Sequence, residues 1–188
     1  MATLDPVDRL DRVSSEVWTV NPPGFGATTG PPDLERYADC AEIAVEALRR
    51  HADGKPIWVC GKSIGTAAAL LAVAGGGVTG AILRNAMPLR KLLERHYFLR
   101  TAGLSRYAIA PAIPKRLDGL ANARNAAAAA IFLVSKGDRV VPPSYQHEII
   151  ESYRGPKTVL EVAGGHDERS LQADDEIAYR RLIASHLG

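Results

Sequence analysis

Ser63 stands in the pentapeptide Gly61-Lys62-Ser63-Ile64-Gly65. An apolar run, residues 57–60, leads into it, and an Ala- and Leu-rich run, residues 66–74, leads out. A serine on so tight a strand-to-helix turn must take a strained backbone, and small neighbours on either side permit it. The turn lifts the hydroxyl above the sheet. It also directs the backbone N–H of Ile64, at a helix N-terminus, towards a developing oxyanion. A serine hydroxyl is a weak nucleophile without a base. Two later residues answer that need: Asp138 follows the apolar run 131–134, and His166 follows the run 158–162. The chain order is Ser, Asp, His, and each residue lies just past a candidate strand's C-terminal end, where open α/β sheets place their ligands. His166 would take the serine proton, and Asp138 would hold the imidazole in the right tautomer. That set is suited to acyl transfer through a covalent serine intermediate.

The other candidates fit less well. His51 and His186 fall near helix C-termini, where a cation is favoured. His96 lies in an irregular stretch, and His147 lies on a helix after the acid loop. Asp167 and Glu168 read as loop or capping residues. Gly61-Lys62-Ser63 resembles the end of a phosphate-binding G-x-x-x-x-G-K-[ST] loop, but Pro56 stands where that motif needs its first glycine, and a strand fills the interval. Lys62 is then a polar residue beside the nucleophile, near the substrate. Cys40 and Cys60 are too few for a disulfide framework and match no zinc spacing; Cys60, closing an apolar run, is expected in the core. No ligand cluster calls for a metal or an organic cofactor.

The 188 residues are 46% hydrophobic and 23% charged, with a net charge of +2, which suits one globular domain spanning residues 1–188. Interleaved charges of both signs give no reason to expect nucleic acid as a partner. Arg84, Arg90, Lys91, Arg95, Arg100 and Arg106 make a locally basic stretch, read as the solvated side of a cap helix. The first fifteen residues are polar without the apolar core of a signal peptide, and no apolar run is long enough for a membrane span. A cytoplasmic protein is expected.

These residues need positioning elements. Strands are predicted over 17–20, 57–60, 78–83, 131–134 and 158–162. Helices are predicted over 34–51 with Asp33 as N-cap, 66–74, 144–153 and 174–187. The alternation argues for a three-layer α/β sandwich around a mostly parallel sheet of about five visible strands. Residues 85–124, with Pro88, Pro111 and Pro114, interrupt the alternation as a small helical cap excursion. Met87, Leu92, Tyr97, Phe98 and Tyr107 could there wall an acyl pocket.

Taken together, these motifs resemble the α/β-hydrolase superfamily, and most its small serine hydrolases of the BEM46 and prolyl-oligopeptidase-like groups. Residues 61–65 match the family's nucleophile elbow. Asp138-Arg139-Val140-Val141-Pro142 is similar to its D-x-x-V-P acid loop, Gly164-Gly165-His166 to its histidine loop, and Asn21-Pro22-Pro23-Gly24-Phe25-Gly26 to the loop after its fourth strand. The resemblance implies Ser63 as nucleophile, Asp138 as acid and His166 as base, acting on a small-molecule acyl substrate. The family's H-G loop, source of the second oxyanion donor, belongs before residue 17 and has no counterpart here. The expected fold is therefore an α/β hydrolase lacking its N-terminal strands. Gly24 or Phe25 would be the substitute N–H, and the uncovered sheet edge a route to a homo-oligomer. The alternative function is a catalytically weak hydrolase-fold protein that binds or scaffolds.

Overall fold

The computed structural model describes residues 16–96, 102, 107, 109–168 and 171–187. Its strands are β1 (Trp58–Lys62), β2 (Gly80–Arg84), β3 (Ala129–Ser135) and β4 (Lys157–Val162). They form one parallel sheet in the order β1-β2-β3-β4. The helices are α1 (Leu34–Ala52), α2 (Gly65–Ala74), α3 (Leu89–Lys91), α4 (Gly119–Asn125), α5 (Pro143–Ser152) and α6 (Ala173–Leu187).

Strand alternation sorts the core into two layers. Ala81, Leu83, Ala130, Phe132 and Val134 pack against α2, α4 and α5. Ile82, Ile131, Leu133 and Val162 face Tyr179 and Ile183 of α6. Phe132 meets Tyr153 edge-on, with ring centroids 5.3 Å apart, and the Tyr153 hydroxyl donates to the Ala128 carbonyl at 2.8 Å. Burial pushes that phenol up to about 12. Gly80 stands opposite Trp58 in the β1–β2 register, and a Cβ there would lie 2.6 Å from the indole. The glycine that interrupts the strand pattern thus makes room for a cross-strand ring.

Asp33 caps α1 by accepting from the N–H groups of Glu35 and Arg36 at 2.8 and 3.2 Å. Beyond β2, α3 runs into a π-helical turn (Leu92–His96), and single 3₁₀ turns (Ala110–Ala112 and Lys115–Leu117) lead back. Arg116 ties this segment to α1. Its guanidinium donates to the side chains of Glu35, Asp39 and Glu42 and to the Glu35 carbonyl.

Three expectations need correcting. Four strands, not five, occur among the described residues. Residues 17–20 form no ladder there; Val17, Trp18 and Val20 are exposed, and Trp18 lies against His51 at the end of α1. Their β propensity describes a surface that needs a neighbouring strand. The excursion is also shorter than residues 85–124, because Asp118 caps α4 and Ala123 packs into the α2–α5 layer. Finally, Cys60 is exposed on β1 rather than buried in the core.

Candidate active site

β1 ends at Lys62 and α2 starts at Gly65, so Ser63 and Ile64 alone make the turn. Ser63 sits in the left-handed region at φ +53°, costly for a residue with a side chain. Four hydrogen bonds fix it and the residues around it. Its N–H donates to the Arg84 carbonyl at 2.9 Å, and its own carbonyl accepts from the N–H and hydroxyl of Thr66 at 2.9 and 2.5 Å. The buried Thr66 Oγ1 in turn accepts from the Met87 N–H at 3.1 Å. The two motif glycines differ. A Cβ on Gly61 would lie 2.5 Å from the Gly65 carbonyl oxygen, whereas one on Gly65 would meet only the Tyr37 hydroxyl, at 4.0 Å.

Ile64 opens α2, and no hydrogen bond takes its N–H among the described residues. Its side chain is among the exposed hydrophobics. A donor so placed, at the positive end of a helix, can receive an anion.

Asp138 follows β3 and is only 3% exposed. Its Oδ1 accepts from the backbone N–H groups of Val140 and Val141, both at 2.8 Å. Its Oδ2 pairs with His166 Nδ1 at 2.7 Å and accepts a longer bond, 3.4 Å, from Gln146 Nε2. An ionised carboxylate only accepts, so this contact puts the imidazole proton on Nδ1 and leaves the Nε2 lone pair free. Among the described residues no hydrogen bond joins that nitrogen to Ser63.

The histidine loop is docked by backbone. Gly137 N–H donates to the Gly164 carbonyl at 2.8 Å, and Ala163 N–H to Asp175 Oδ2 at 2.8 Å. Asp167 and Glu168 are exposed residues of the same loop.

The remaining expected site residues are more scattered. Lys62, half-buried, ends β1 beside Ser63. Gly24 lies at φ +80° in the loop of residues 22–25. Phe25 cannot offer a free N–H, because it donates to the Pro22 carbonyl at 3.0 Å; its ring is half exposed. Met87 is buried with Leu92 and Val141. Tyr107 is exposed, and Tyr97 and Phe98 lie outside the described residues. A cavity of about 300 Å³ is lined by Pro88, Arg90, Lys91, Glu94, Arg95, Asp118 and Leu120, and its lining includes none of Ser63, Asp138 and His166.

Two residues escaped the sequence reading. Gln146 is fully buried beside Asp138 and also donates to the Val141 carbonyl at 2.7 Å. Its signal was a polar residue in phase with Ile149, Ile150 and Tyr153 on the inward face of α5. Arg84, read as part of a solvated basic stretch, is instead 0% exposed.

Solved structures share this arrangement of sheet and helices. An acetyl xylan esterase from Paenibacillus sp. R4 superposes with a TM-score of 0.66 at 21% identity, covering 82% of this chain and 53% of that one. The monoacylglycerol lipase of Paleococcus ferrophilus gives 0.56 at 17%, covering 90% and 80%. A puromycin-hydrolysing peptidase of Mycobacterium tuberculosis gives 0.59 at 18%, covering 80% and 25%. This protein has the α/β-hydrolase fold. The chain spans about half the length of the esterase it matches. No family model and no curated protein matches the sequence. At such identities the likeness carries the α/β-hydrolase fold alone, and the chemistry must be argued from the site. No helix among the described residues is long and apolar enough to cross a membrane.

Proposed function

We propose that this α/β-hydrolase-fold protein is a serine hydrolase, a single domain that cleaves an ester, thioester or related acyl bond. The observation that carries the reading is the 2.7 Å contact between His166 Nδ1 and a buried Asp138 carboxylate. It lies at the sheet end that also bears Ser63 on its left-handed turn. Ser63 Oγ attacks the substrate carbonyl carbon while His166 Nε2 takes its proton. The carbonyl oxygen becomes an oxyanion facing the Ile64 N–H. As the tetrahedral species collapses, the leaving group takes the proton from Nε2 and the acyl group stays on Ser63. Water, deprotonated by the same nitrogen, then releases the acid and restores the serine. Asp138 stays ionised throughout and stabilises the transient imidazolium. Lys62, next to Ser63 in the chain, is the polar residue proposed to meet the substrate.

A fluorophosphonate probe tests the reading. Wild-type protein is expected to become covalently labelled, and Ser63→Ala to remain unlabelled and to hydrolyse p-nitrophenyl acetate at the buffer rate. Folded wild-type protein that takes no label, or Ser63→Ala protein that labels equally, would overturn it. The first outcome would leave a hydrolase-fold binding module.

A further inference from the structure

A fully buried arginine at the end of a central strand needs an explanation. The other β2 residues, Gly80, Ala81, Ile82 and Leu83, are the small and apolar residues that a sheet covered on both faces requires. Arg84 is the largest fully buried side chain among the described residues. Burying a guanidinium is expensive, and filling space at this position needs no charge.

What Arg84 reaches is informative. Its Nη2 crosses to the histidine loop and donates to the Glu168 carbonyl at 2.9 Å. Its own carbonyl accepts the Ser63 N–H at 2.9 Å. One residue therefore touches both the turn that carries the nucleophile and the loop that carries the base. On the loop's N-terminal side, Gly137 and Asp175 hold Gly164 and Ala163. On its C-terminal side, the Arg84 bond holds Glu168, and His166 lies between these attachments. The Glu168 carboxylate folds back over Gly164, in the space a Cβ there would occupy, so the two flanks of the loop lie against each other.

We infer that Arg84 is a positioning residue that sets the histidine loop, and so holds His166 against Asp138. This rests on the serine-hydrolase reading for its kinetic consequence, but its structural consequence can be read without turnover.

The experiment uses full-length protein labelled with ¹⁵N-histidine. The downfield Nδ1 proton of His166 is assigned by its loss in His166→Ala. In Arg84→Met that proton is expected to be lost to solvent exchange, and Arg84→Lys, which keeps the charge and part of the reach, restores it in part. Turnover of p-nitrophenyl acetate in Arg84→Met should fall about 10²-fold in kcat, the usual consequence of a base misplaced by about an ångström, with KM little changed. The double variant Arg84→Met/His166→Ala should be no slower than His166→Ala alone, because the arginine acts through that histidine. An unchanged Nδ1 proton and kcat in folded Arg84→Met overturn the inference, as do losses that multiply in the double variant. Failure of both arginine variants to fold assigns Arg84 to stability alone and also overturns it. A wild type without Ser63-dependent turnover sinks the hydrolase reading only, and the Nδ1 proton then decides the role of Arg84.

Discussion

Asp138→Asn should fold like the wild type yet turn over p-nitrophenyl acetate about 10³- to 10⁴-fold more slowly, the loss expected when the catalytic histidine is held in the wrong tautomer. The geometry leaves the new amide little choice. Val140 and Val141 N–H both point at the Oδ1 position at 2.8 Å, and only an acceptor can sit there. The asparagine carbonyl oxygen must take that place, which puts the NH₂ group where Oδ2 now faces His166 Nδ1. Two donors cannot share that contact, so the imidazole proton moves to Nε2. A protonated Nε2 cannot accept from Ser63. Because the backbone bonds to the acid loop survive, the melting temperature should change little. Steady-state kinetics beside a thermal melt check the prediction, and ¹⁵N chemical shifts of His166 report the tautomer. Activity within tenfold of wild type would show that Asp138 does not orient the base.

Much of this arrangement was legible in the sequence because it is built on local turns. Ser63 is marked by the strand before it, the helix after it and the glycine at 61. Asp138 and His166 are marked by the apolar runs β3 and β4 that deliver them to one end of the sheet. Helices α1, α2, α5 and α6 were equally plain, since Asp33 caps α1 and an apolar stripe fixes α6. What sequence could not supply was burial that depends on distant partners. Arg84 looks like a surface cation until the histidine loop, more than eighty residues later, is seen accepting its bond. Gln146 falls in phase with the inward face of α5, but nothing local says that its partner there is Asp138. Cys60 fails in the opposite direction, since an apolar run predicts a strand but not the cover over each of its faces. Residues 17–20 fail because β propensity only matters once a partner strand exists.

Gly61→Ala should destabilise the protein by about 3 kcal/mol or more, in the range of severe overpacking or backbone strain. The new Cβ would lie 2.5 Å from the Gly65 oxygen, 2.7 Å from its carbonyl carbon and 2.9 Å from the Thr66 nitrogen. All three are backbone atoms in the first turn of α2, and no rotamer change can move them aside. That turn cannot retreat freely either, because Thr66 is fully buried and bonded to both Ser63 and Met87. Relief must come from displacing the turn that holds Ser63, so the variant should also lose reaction with a fluorophosphonate. Gly65→Ala provides the contrast. Its Cβ would approach nothing closer than the Tyr37 hydroxyl at 4.0 Å, and alanine is favoured over glycine within a helix by about 1 kcal/mol. That variant should be as stable as the wild type or more so. Urea denaturation of the pair measures the difference. Equal stability of the two variants would mean that the close packing of β1 against the start of α2 does not constrain the turn. The glycines of the pentapeptide are alike in sequence, but only the first is required by contact.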